Sequence, residues 1–266
     1  MKRLIALTFA AMVALLPTMA PAGSSEATEA ILPADQVATF SNRVQKDLAA
    51  RGAHVAIVAR MGRDPETLPD GIDYTHVAYW VYSEITEANG TKSYGYRAYN
   101  LYQLGDDQTK SQLIQDTPAD FFAGAQTLDA GIIIPDPRLQ QKLLSVIASP
   151  TYSALHNANY SVLANPTNKR FQNCTEHTLD VMMAALYDTS DRAQIKANIG
   201  AHFDPQEIKI SGMKRTFAPL ASGALTTSDH GAKIGTATFG SISRFMKEFD
   251  LAEKVYRITP EANYRF

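Results

Sequence analysis

The sequence predicts an α+β fold, because strand-like segments crowd its first half and helical spacing dominates its second. The strands bring an Asn89-Gly90 pair, the strongest short signal for a hairpin turn. The helices bring recognisable start and stop residues. No internal repeat interrupts this order, and the length suits one core, so a single domain is expected.

The elements follow from the N-terminus. Lys2 and Arg3 precede an apolar run from Leu4 to Leu16, which Pro17 breaks ahead of Ala20-Pro21-Ala22. A positive start, a short apolar stretch and small residues at the cleavage positions mark 1–22 as a signal peptide. The run is shorter than the ~20 residues a membrane-crossing helix needs, and no later segment is more apolar. An exported protein, periplasmic or secreted, is therefore expected, with a mature chain of 23–266 and no membrane span.

Ala34 to Ala50 has helical apolar spacing and ends at Arg51-Gly52, a usual helix stop. His54 to Ala59 reads as a strand. A turn-rich stretch with Pro65, Pro69 and Gly71 leads to a strand over Tyr74–Ile85, and Asn89-Gly90 turns the chain into another over 92–104. Gly131 to Ile134 is a short buried strand, and Asp136-Pro137 opens a helix to Ala148, with proline at its first position. Tyr160 to Ala164 reads as a strand. Asn173 caps a helix to Tyr187, Asp191 to Ala201 forms another, and a small-residue stretch near 211–233 reads as a long loop. A last helix over Ser241–Glu253 and a strand near Val255–Ile258 complete the order.

The formal net charge of −2 becomes more negative once Lys2 and Arg3 are removed. Without a basic run, such a chain does not fit nucleic acid or an anionic membrane surface as partner. No cofactor motif is present: there is no phosphate loop, Gly-x-Ser-x-Gly or His-Glu-x-x-His.

The single cysteine, Cys174, is the most informative residue. An oxidising compartment favours disulfides, but one cysteine cannot form one within the chain. It is then an inert buried thiol, an intermolecular bridge or a nucleophile. In Gln172-Asn173-Cys174-Thr175-Glu176-His177, Asn173 is a good N-cap and Glu176 follows at capping-box spacing. Cys174 thus falls in a first helical turn, where unpaired N–H groups and the helix dipole favour a thiolate. Those N–H groups can also hold an oxyanion, with Asn173 and His177 supporting the site.

A nucleophilic cysteine needs a base. His177 lies on the same helix and is poorly placed to share a substrate site. His76 lies mid-strand in Thr75-His76-Val77-Ala78-Tyr79-Trp80, with the only tryptophan, Trp80, on its face. If Asn89-Gly90 makes a two-residue turn, His76 faces Gln103 and Trp80 faces Tyr99, so Gln103 orients the base. A one-residue bulge flips the register and makes Asn100 the orienting residue.

A histidine strand, a polar group on the next strand and a later helix beginning Asn-Cys resemble the circularly permuted papain-like thiol enzymes, which include the lecithin retinol acyltransferase-like set and carry last the cysteine helix that ordinary papain-like and NlpC-type peptidases carry first. Asn173-Cys174-Thr175-Glu176-His177 is similar to their Asn-Cys-Glu-His signature, with Thr175 inserted. That resemblance implies an antiparallel sheet packed against a helix carrying the cysteine at its N-terminus. Over nearly the whole mature chain, Thr75–Tyr82, Tyr99–Gln103, Ser149–His156 and Gln172–Asp180 resemble bacterial proteins catalogued as domain of unknown function 2145, which bring no established activity.

The expected function is a periplasmic cysteine-dependent hydrolase or acyl transferase. Its substrate is an amide, such as a cell-wall peptide, or an ester, and it works through Cys174, His76 and Gln103 or Asn100. The alternatives are a non-catalytic periplasmic binding protein of the same shape, to which twelve tyrosines lend themselves, and a metal site from Cys174, His177 and His76. The Cys-x-x-His spacing suggests that last option, though no second cysteine pair supports it.

Overall fold

The computed structural model describes residues 30–86, 89–209 and 223–266. The expected signal peptide and the first part of the 211–233 loop lie outside the described residues. In chain order come α1 (Ala34–Ala50), β1 (Val55–Arg60), β2 (His76–Thr86), β3 (Lys92–Gln103), β4 (Ser111–Asp116) and α2 (Pro118–Ala123). Then follow β5 (Ala130–Pro135), α3 (Pro137–Ile147), α4 (Pro150–Ala154), α5 (Cys174–Tyr187), α6 (Arg192–His202) and β6 (Gln206–Glu207). The chain closes with β7 (Gly235–Thr236), α7 (Phe239–Glu248), β8 (Ala252–Ile258) and β9 (Asn263–Arg265).

The class is mixed α/β, with a large antiparallel sheet and seven α-helices among the described residues. The sheet order is β4-β3-β2-β1-β5-β8-β9, and β6 and β7 form a separate small pair. Strand alternation divides the core into two layers. Ala56, Val58, Ala78, Trp80, Ile132 and Ile134 pack against Val37, Phe40, Val44 and Leu48 of α1 and against Phe121 and Phe122 of α2. On the other face, Ile57, Val77, Tyr79, Val81 and Ile133 meet α3, α5, α6 and α7. Helix α5 is covered all round, since Cys174 to Ala185 are buried without a break. It begins within the core layer, so the polar groups of its first turns need internal partners.

Several expected elements need correction. The β2–β3 ladder pairs Thr86 with Lys92 and Tyr79 with Tyr99. Five residues join the strands rather than two, and the odd number shifts the register by one, so Trp80 faces Ala98 and not Tyr99. Tyr160 makes only an isolated bridge to Gln172 in place of a strand. Val162 N–H instead donates to the Ala224 carbonyl and the Ser161 hydroxyl to that of Thr226, which ties the segment to a loop. Helix α7 stops at Glu248: the Leu251 N–H returns to the Met246 carbonyl and Asp250 turns left-handed at φ 53°, which frees Ala252 onward to pair with β5. No helix among the described residues is long and apolar enough to cross a membrane.

Candidate functional site

Cys174 occupies the first position of α5, where its neighbours are fixed by capping. The Asn173 side-chain oxygen accepts from Glu176 N–H at 2.8 Å, and its amide donates to the Val162 carbonyl at 2.9 Å. The Thr175 hydroxyl lies 2.7 Å from the Ala237 carbonyl, which anchors the turn to the segment before α7. The β2–β3 ladder ends at Tyr79 and Tyr99, short of Thr75. The Sγ atom lies 3.9 Å from the Thr75 carbonyl. Burial pushes the thiol up to about 11, against the pull of the backbone N–H groups of Val77, Thr175 and Cys174 and the charge of Arg60.

Thr75 and Val77 flank His76, whose ring is fully buried. Its Nε2 lies 3.0 Å from the Asn100 side-chain oxygen. The Asn100 amide has no freedom to flip, because its nitrogen donates to the Ala98 carbonyl and to the Asp116 carboxylate, each at 3.2 Å. Asp116 also accepts from the Tyr102 hydroxyl at 2.7 Å. Asn100 must therefore present oxygen to the imidazole, and the imidazole must carry its proton on Nε2. That leaves Nδ1 as a bare acceptor, and it has no hydrogen-bond partner among the described residues. Burial, and then the nearby Arg60 charge, hold His76 well below its usual range, so the ring is neutral.

The register correction reaches the site. Asn100, and not Gln103, contacts the His76 ring, while the Gln103 amide donates to the Gln108 carbonyl at 2.8 Å. The ring stacks on Tyr102 at 4.9 Å and lies 5.4 Å from Phe121; Trp80, 5.6 Å from the same phenylalanine, shares its face as the sequence suggested. Arg60 pairs with His76 across β1 and β2, and its guanidinium donates to the Phe121 carbonyl. These contacts put the imidazole on the α2 side of β2. The thiol approaches from the α5 side, in contact with Leu101, Tyr160 and Ala224. No hydrogen bond joins Cys174 to His76. Asp116, Tyr102 and Arg60 were not read from the sequence; their link to the site depends on strand register, which no local motif carries.

His177 does not join this group. It packs between the rings of Tyr152, at 4.9 Å, and His156, at 6.3 Å. Burial, with the nearby His156, Lys196 and Arg192, lowers it to about 3. On a further side of α5, Lys196 from α6 lies 2.6 Å from both Glu176 and Asp180, and Gln172 donates to Asp180 at 2.8 Å. Among the described residues, no group of three or more His, Cys, Asp or Glu side chains is arranged to hold a metal ion.

A cavity of about 260 Å³ opens beside the thiol. Cys174, Asn173, Thr175 and Thr75 form one wall; Leu68, Ile72, Leu163 and Ile208 supply apolar surface, and Arg63 a positive charge. His76 is not part of the lining.

The fold and this site define a mixed α/β protein with one thiol at the head of its central buried helix. The chain belongs to a family described as an uncharacterized protein conserved in bacteria, DUF2145, whose model matches residues 47–246. That span takes in β1 to β5 and α5 with its cysteine. No curated protein matches the chain, and no solved structure matches it.

Proposed function

We propose that the protein is an exported cysteine-dependent hydrolase or acyl transferase with Cys174 as nucleophile, His76 as base and Asn100 as the residue orienting the base. One observation carries this reading: the Asp116–Asn100–His76 chain holds a neutral imidazole with a bare Nδ1, on the strand residue between the two that the thiol faces. In the reaction Nδ1 takes the Sγ proton as sulfur attacks the substrate carbonyl. The backbone N–H groups of the first turn of α5 receive the oxyanion. The proton then passes to the leaving group, and water or a second acceptor releases the acyl group from sulfur. This reading requires the thiol to leave the Thr75 carbonyl and reach the imidazole past the edge of β2, a rearrangement that substrate binding has to drive.

The order of histidine strand before cysteine helix supports a circularly permuted papain-like arrangement. The expected signal peptide supports a periplasmic or secreted setting, where cell-wall peptide is an available amide. A second reading, a non-catalytic binding protein, is favoured by the burial that raises the thiol to about 11.

Incubation of the folded chain with an activated acyl ester separates the two. The enzyme reading expects a single acyl adduct on Cys174 by mass spectrometry, with none on Cys174→Ala. An adduct that forms only in denaturant means the thiol is inert, and the binding reading stands.

A further inference from the structure

The cavity beside Cys174 has one charged side chain in its wall among the described residues, Arg63. Its polar neighbours are already engaged. The Thr75 hydroxyl accepts from Gly62 N–H at 2.8 Å, the Thr236 hydroxyl donates to the Ala164 carbonyl at 2.9 Å, and Thr238 caps α7. Arg63 differs from all of these. It is half-buried and makes no hydrogen bond or ion pair with the described residues. Burial lowers its pKa, opposed by Tyr160 and by no carboxylate. The guanidinium therefore keeps its paired donors available to a ligand that enters the cavity.

The position is fixed relative to the thiol. The Gly62 N–H bond to Thr75 ties the segment carrying Arg63 to the residue whose carbonyl touches Cys174. Around the charge, Ile72, Leu163 and Ile208 pack with Ile234 as one apolar cluster. The space is smaller than the ~300–1,000 Å³ typical of drug-sized ligands, so it admits a group the size of one amino-acid residue.

We propose that this cavity binds the carboxylate-bearing end of a substrate, with Arg63 pairing the carboxylate and Leu68, Ile72, Leu163 and Ile208 enclosing an apolar side chain. The chemical class is a peptide or N-acyl amino acid with a free C-terminal carboxylate. This assignment rests on the thiol reading for its catalytic meaning, since the carboxylate end then holds the scissile amide over Cys174. The binding itself does not depend on it.

The test uses the full chain carrying Cys174→Ala, so that no turnover intrudes. Calorimetric titrations compare N-acetylleucine with its uncharged amide, and octanoate with octanamide. N-acetylleucine is expected to bind about tenfold or more tightly than its amide. Arg63→Gln is expected to erase that preference, and Arg63→Lys to keep part of it because the charge remains while the fork is lost. Equal binding of acid and amide, no binding of either, or an undiminished preference in Arg63→Gln overturns the proposal. Tighter binding of octanoate than of N-acetylleucine overturns the peptide class and assigns the carboxylate to a fatty acid. Acylation of Cys174 in the unmodified protein without any carboxylate preference defeats this inference alone. Carboxylate binding with an inert thiol defeats the catalytic reading alone.

Discussion

Two polar groups flank the first turns of α5, and they are finished differently. On one flank, Lys196 lies 2.6 Å from both Glu176 and Asp180, and Gln172 closes the remaining oxygen of Asp180, while the second oxygen of Glu176 has no hydrogen-bond partner among the described residues. Burial raises Glu176 to about 8, yet the lysine, with two carboxylates against its own burial, stays charged. On the other flank, Asp116 and Asn100 fix the His76 ring with care, and the chain then stops at a nitrogen without a partner among the described residues. The difference is one of charge: the first flank pairs its ions, and the second leaves a neutral ring nitrogen open. The ion network serves to join α5 to α6; the open imidazole has the form of a group waiting for a proton.

Breaking the closed flank should have the largest effect. Lys196→Met strips the buried Glu176 and Asp180 side chains of their shared cation and is expected to lower stability by about 3–5 kcal/mol, measured by urea denaturation at neutral pH. Breaking the open flank should spare stability more and reactivity less. Asn100→Leu removes the acceptor that sets the tautomer, so alkylation of Cys174 is expected to slow about 100-fold, read by mass spectrometry. The smallest effect belongs to the cap between them. Asn173→Ala loses the bond to Glu176 N–H and is expected to cost about 1 kcal/mol, again by denaturant midpoint.

How much of this was legible in the sequence depends on the range of each signal. Helix α1 has the bounds its apolar spacing implies, and the Asn173 cap places Cys174 at the head of α5 as expected, because both are local. Strand β4 and helix α2 escaped notice. Ser111–Asp116 is an edge strand with mostly half-buried side chains and little alternation, and Pro118–Ala123 is too short to show a helical period. Asp116, at the end of that strand, therefore escaped too. The choice between Gln103 and Asn100 rested on the parity of one turn, and Asn89-Gly90 points to a two-residue turn where the chain uses five. The buried ion network was hidden for a different reason: Glu176 fits a capping box, and nothing near Lys196 in sequence marks its partners.

The most direct trial of the Cys174–His76 pairing is the rate at which iodoacetamide alkylates Cys174 in the folded protein, followed from pH 6 to pH 10 and repeated with His76→Ala. A thiol served by a neutral imidazole should react at neutral pH with a nearly flat profile, and removal of the ring should leave a slow rate climbing toward the thiol's own titration near 11. Two superimposable curves, both rising only in alkali, would mean that the imidazole does nothing for the sulfur.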